Sequence, residues 1–226
     1  MFNQLPKATK ILLWVNAGIF LLQLLLRGRG LDSLMLFPIG GADLIGNPFS
    51  SALGNFLPWQ LVTYAFLHGS VGHIFFNMLA LVMFGAPLEY TWGLKRFLTF
   101  YFTCVIGAGL TYLAWSALIG SYDPVLGASG GVFGLLLAYG MLFPKQRIML
   151  ILPPVELDAR TMVIAYGAIE LFFVASGMGR NVAHFAHLGG MLFGWLMIRY
   201  WRGQPPFKRR KRRPPPPPPP KFKIVS

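Results

Sequence analysis

Polar positions nearly vanish along much of this chain, for whole helix lengths at a time. Six apolar segments result: Ile11–Leu26, Val71–Leu88, Phe97–Ile119, Ser129–Phe143, Arg160–Ser176 and Val182–Trp201. Apolar runs with so few charges predict membrane-spanning α-helices. The first ends in LLLRGRG without a small-residue cleavage site, which predicts a retained span and not a signal peptide. The fourth is short, since about 15 residues rise only about 22 Å against a hydrocarbon core of about 30 Å. Such a helix begins below one membrane face. Its opening residues, GASGG, then lie on the floor of a depression that water reaches. The predicted fold class is an all-α polytopic membrane protein, a six-transmembrane-helix bundle over 1–202 followed by a basic, proline-rich tail over 203–226.

Composition sharpens this picture. Of 226 residues, 55% are hydrophobic and 12% charged, against about a quarter charged in soluble domains, and the mean hydropathy is +0.56. The single cysteine, Cys104, excludes a disulfide framework and a cysteine-based metal site. The net charge of +13 is not a nucleic-acid signal, because nine of the twenty Lys and Arg residues lie beyond Arg199. They form a juxtamembrane polybasic segment suited to anionic lipids, and the seven prolines after it favour an extended rod. With a cytoplasmic N-terminus, 17 of the 20 basic residues fall inside, and only Arg27, Arg29 and Arg180 outside. The asymmetry predicts both termini in the cytoplasm.

In that orientation, spans two, four and six all run from outside to inside, and each carries unusual residues near its outer start. These are His73 and Asn77, Ser129, and His184 and His187. Buried polar groups in a bilayer are costly unless paired, so their convergence means either a site or a structural hydrogen-bond network. On spacing alone Ser129 reads first as a small packing residue, with Gly130 and Gly134 completing a small-residue face. His187 is followed by Gly190 and Gly194, which let span six press against a neighbour. A close approach of spans four and six brings His187 within reach of Ser129. A serine hydroxyl needs a base within about 3 Å, which an imidazole supplies. Asn77, His73 and the Ser129 N–H are suitable donors for a tetrahedral intermediate. No spacing places any of the seven acids beside the histidines, so the chemistry reduces to a Ser-His dyad. Glu170, within span five, is expensive facing lipid and predicts an interior hydrogen bond to a neighbouring helix. Four histidines also suggest a haem or transition-metal protein, but HExxH and CxxCH are both absent, and so is any carboxylate in the histidine motifs.

Three ordered motifs carry a resemblance: HGSVGHIFFNML (His68, His73, Asn77), GASGGVFG (Gly127, Ser129, Gly130) and AHFAHLGGMLFG (Ala186, His187, Gly190, Gly194). Over about residues 8–202 the chain resembles the rhomboid intramembrane serine proteases of the basic six-helix bacterial type, which have no seventh span. LEYTWG at Leu88–Gly93 is similar to a further family feature. The resemblance implies Ser129 as nucleophile, His187 as general base and acid, and an oxyanion hole of His73, Asn77 and the Ser129 amide. Gly127 and Gly130 would allow the tight loop, His184 would support the site, and His68 would sit near its outer mouth. Phe133 stands where the family often has a tyrosine stacked on the catalytic histidine, and the outer loop lacks a WR dipeptide. The family reading implies no cofactor and no metal, transmembrane protein substrates, and a bacterial plasma membrane. Substrate would pass span five under a cap at Gly177–Asn181. The alternative is a catalytically silent rhomboid-like binder or chaperone, whose relatives typically lack the serine or the histidine.

Overall fold

The computed structural model describes residues 4–26, 30–39, 56–121, 123–149, 154–176 and 181–207. Among these described residues six helices dominate: α1 (Lys7–Leu25), α2 (Val71–Trp92), α3 (Leu94–Ile119), α4 (Ser129–Leu142), α5 (Ala159–Ser176) and α6 (Asn181–Arg202). Their bounds differ by a few residues from the predicted segments. Four of them, α1, α2, α3 and α5, are long and apolar enough to cross a membrane, and the apolar α4 is shorter at 14 residues.

Glycines end the helices where the chain must turn. Gly93 (φ +77°) separates α2 from α3, and Gly120 (φ +66°) closes α3 in the left-handed region. α2 is not uniform: a π-helical turn at Leu81–Gly85 interrupts it. Just beyond that turn, Glu89 reaches the first turn of α1. Its carboxylate accepts from the Ala8 and Thr9 N–H groups (2.8 and 2.7 Å) and the Thr9 hydroxyl (2.8 Å). A carboxylate there satisfies donors with no intrahelical acceptor and meets the positive end of the α1 dipole. This gives the LEYTWG motif a physical reason.

α4 is apolar on every side and is buried on nearly every side, among α2, α3, α5 and α6. The core is built on α3, where Phe97, Phe100, Tyr101, Cys104, Val105, Ala108 and Tyr112 are fully buried. α1 shows the opposite, with Trp14, Leu21, Leu24 and Leu25 exposed, as a lipid-facing helix requires. A small hairpin follows α4 at the end away from Ser129. Strands β1 (Arg147–Met149) and β2 (Glu156–Asp158) pair antiparallel, Arg147 opposite Asp158.

The segment between α1 and α2 is ordered where it is described. A single helical turn, Gln60–Thr63, is pinned by the buried Gln60 side chain. Its Oε1 accepts from Phe37 and Leu57 N–H (3.2 and 3.1 Å), and its Nε2 donates to the Ser33 carbonyl (3.1 Å). Leu36 forms a bridge with Val125. That bridge ties the segment between α1 and α2 to the loop leading into Ser129.

Candidate active site

Ser129 opens α4, so its N–H belongs to the first turn and has no intrahelical acceptor. The loop before it is anchored from two sides. The Tyr64 hydroxyl donates to the Val105 carbonyl (2.7 Å), and the Tyr64 carbonyl accepts from Gly127 N–H (2.9 Å). Gly127 has φ +126°, and a Cβ there would come within 2.7 Å of His73 Nε2 and 3.8 Å of Ser129 Oγ. Only glycine suits both the backbone angle and this space.

α6 approaches α4 through glycines on both helices. A Cβ on Gly190 would lie 2.0 Å from the Gly130 carbonyl oxygen, and one on Gly194 would lie 3.4 Å from Gly134 Cα. With no side chains between them the backbones touch, and His187 Nε2 comes to 2.8 Å from Ser129 Oγ. The Phe133 ring stacks on His187 (4.2 Å between centroids, 9° between planes). On its far side, His187 Nδ1 is 3.1 Å from Glu170 Oε1, and His184 Nδ1 is 2.6 Å from Glu170 Oε2. Phe173 stacks on His184 (4.8 Å, 13°). The Glu170 side chain is only 8% exposed.

α2 supplies the opposite wall. Ser70 caps it, its Oγ accepting from His73 N–H (3.1 Å). Gly69 N–H donates to His73 Nδ1 (3.4 Å), which assigns the ring proton to Nε2, the nitrogen beside Gly127. Asn77 lies one turn further along the same face, and its Nδ2 is buried without a hydrogen-bond partner. His68 is buried, its ring edge-on to that of His73 at 5.0 Å between centroids. Its backbone is held by Gln23, which accepts from His68 N–H (3.0 Å) and donates to the His68 carbonyl (3.3 Å). Burial, and then the adjacent His73 ring, push the His68 pKa down to about 4, so the ring is neutral at physiological pH.

Comparison with known proteins adds an independent finding. A family model described as the Rhomboid domain matches residues 56–203. The chain belongs to the rhomboid family. It is 30% identical to Rhomboid-like protease 3 of Toxoplasma gondii over 158 residues, which are 70% of this chain and 57% of that protein. It is 34% identical to the mitochondrial Rhomboid protein 1 of Saccharomyces cerevisiae over 142 residues, 60% of this chain and 41% of that one. It is also 30% identical to Presenilin-associated rhomboid-like protein A, mitochondrial, of Danio rerio, over 65% of this chain and 39% of that one. The chain thus spans about 40 to 60% of the length of these relatives. All three are eukaryotic and two are mitochondrial by name. They support an integral multi-pass membrane protein of this family, and they lend no support to the expectation of a bacterial plasma membrane.

In this rhomboid, Ser129 meets His187, Phe133 stacks on His187, His73 lies against Gly127, and Asn77 and Phe133 line an adjacent cavity. His184 lies behind His187 and His68 beside His73, while Gly130 faces Ala108 and the α6 backbone. The expectation that no acid lies beside the histidines is corrected by Glu170. It makes the predicted interior hydrogen bond, but to two imidazoles of the site itself. A signal for this was present in the chain. Glu170 stands six residues before Ser176, where α5 ends, and His187 six residues after Asn181, where α6 begins. Consecutive helices with a short connection pack side by side and antiparallel, so positions equidistant from the connection share a level. Among the described residues, Glu170, His184 and His187 form a group of potential metal ligands, their donor atoms within 4.8 Å of one another. The short direct contacts account for the set as hydrogen bonds, and His187 is engaged on both nitrogens. The predicted cap residues 177–180, Arg27, Arg29 and the tail from residue 208 lie outside the described residues.

Proposed function

We propose that this rhomboid is an intramembrane serine endopeptidase that hydrolyses peptide bonds in or near transmembrane segments. The observation carrying the reading is the 2.8 Å contact of Ser129 Oγ with His187 Nε2 at the mouth of a short helix. Ser129 Oγ attacks the scissile carbonyl carbon as its proton passes to His187 Nε2, and His187 then protonates the leaving amine. Water, deprotonated by His187, resolves the acyl-enzyme. The oxyanion is received by His73 Nε2–H, Asn77 Nδ2–H and the Ser129 N–H. The unpartnered Asn77 donor supports that role, since a buried amide is costly until an acceptor arrives.

Six spans with both termini in the cytoplasm complete the reading, supported by the charge distribution and the six described helices. A mostly apolar cavity of about 400 Å³ between α2 and α5 supports lateral access for a helical substrate. Phe76 and Met83 line it from α2, Met162 and Tyr166 from α5, and Asn77 and Phe133 join it to the site. The substrate must unwind locally, since its carbonyls are tied up in its own helix. The basic tail would rest on anionic headgroups.

Cleavage of a labelled transmembrane peptide by the purified protein in bilayers tests the reading. The wild type is expected to cut, and Ser129→Ala and His187→Ala to lose at least about 10³-fold in kcat. A wild type that binds the peptide but leaves it intact, with both variants indistinguishable from it, would identify a silent binder instead.

A further inference from the structure

We propose that Glu170 turns the Ser129–His187 pair into a hydrogen-bonded triad, acting as the positioning residue for the base. The inference rests on the protease reading and extends it, because the three sequence motifs supply the serine and the histidine but no acid.

The geometry runs in one line across three helices. Ser129 Oγ on α4 is 2.8 Å from His187 Nε2 on α6, and His187 Nδ1 is 3.1 Å from Glu170 Oε1 on α5. An ionised carboxylate only accepts, so Glu170 requires a proton on His187 Nδ1. The other nitrogen is then the bare one, and it faces the serine. The carboxylate thus selects the tautomer in which His187 is a base toward Ser129. When the Ser129 proton arrives at Nε2, the ring becomes a cation, and Glu170 already faces it. Both protons stay on the imidazole until Nε2 gives its proton to the leaving amine. Phe133 stacked on one face fixes the ring plane, and the carboxylate fixes its rotation within that plane.

The second imidazole explains how a carboxylate is tolerated in a membrane helix. His184 Nδ1 occupies Glu170 Oε2 at 2.6 Å, leaving each carboxylate oxygen with one imidazole. Phe173 holds the His184 ring from the side. His184 therefore orients the carboxylate, and Glu170 orients the base. This ordering separates two residues that are both merely near the serine.

The test uses the full chain in bilayers, with three readouts: kcat and KM for a transmembrane peptide, the rate at which a fluorophosphonate labels Ser129, and ¹⁵N spectra of histidine-labelled protein. Fluorophosphonate labelling reports nucleophile activation without helix docking. Glu170→Gln is expected to lower kcat and the labelling rate by about 10- to 100-fold while KM stays within about twofold. Glu170→Ala is expected to lose more, with formate restoring part of the labelling rate and formamide none. Restoration by the anion alone is an effect that simple space filling would not produce. The wild-type spectra should show His187 protonated at Nδ1, and this readout stands even if the Glu170 variants do not fold. A His187 ring protonated only at Nε2, or Glu170→Gln with wild-type kcat and labelling rate, overturns the triad and leaves the protease reading intact. A wild type that neither cleaves nor labels, like Ser129→Ala, overturns the protease reading and the triad with it.

Discussion

At the scale of single residues, the site is built from side chains with little freedom left. His187 is held on both nitrogens and on one ring face, and Gly127 has no room for a methyl group. Phe133 shows how much of this is stacking and how much is hydrogen bonding. A stacked aromatic pair is worth about 0.5–1.5 kcal/mol beyond its buried area, which corresponds to a change in rate of about 2- to 13-fold if it is lost only in the transition state. Phe133→Ala is therefore expected to lower kcat by up to about 13-fold in the peptide assay. Phe133→Tyr preserves the ring face and should stay within about twofold of wild type. Equal losses in the two variants would mean that the ring face is not what holds His187. The same logic explains why phenylalanine suffices here in place of the family's frequent tyrosine: the contact on His187 is made by the ring, not by a hydroxyl.

Among elements, the close approach of α4 and α6 decides whether serine and histidine meet at all. Gly190 stands against the Gly130 carbonyl, so even Gly190→Ala must push the helices apart. Overpacking of this kind typically costs about 1–3 kcal/mol, and a helix shift of about 1 Å is enough to cost about 100-fold in rate. Gly190→Ala is expected to lower the melting temperature by several degrees and nearly abolish cleavage. Gly18 on α1 has open space around it, so Gly18→Ala should raise stability by up to about 1 kcal/mol and leave cleavage unchanged. Thermal melts and the peptide assay on both variants check the contrast. This interface was largely legible in the chain, because glycines four apart beside Ser129 and His187 announce close packing. The helices were legible too, and length and hydropathy mark α1, α2, α3 and α5 as able to span a membrane. The hairpin was not, because its three-residue strands carry no periodicity long enough to read. The π-helical turn in α2 escaped for a related reason, as Leu81–Gly85 is apolar like the α-helix around it. Glu170 escaped because it lies outside the three motifs, and its equal distance with His187 from the α5–α6 connection reads as proximity only once those two helices are paired.

Over the whole molecule, stability is distributed unevenly, and the unevenness bears on how a substrate reaches Ser129. α3 and α4 carry the buried core, whereas α5 buries only Ala159, Met162, Val163 and Glu170. α5 shares this sparse burial with the lipid-facing α1, so few packed side chains hold either helix to the bundle. Yet α5 also carries Glu170, so displacing it to admit a substrate would pull the carboxylate away from His187. Access through the α2 side of the cavity avoids that conflict. Phe76 lines this side and is 59% exposed, so removing its ring widens the passage with little loss of packing. Phe76→Ala is expected to raise kcat/KM for a bilayer-embedded peptide several-fold, while the fluorophosphonate labelling rate of Ser129 stays at the wild-type value. The split is informative because the small probe needs an activated serine but no passage for a helix. A parallel rise in both rates would place the effect in the activation of Ser129. A fall in labelling would mean that widening the cavity disturbs α5 and, through Glu170, the base itself.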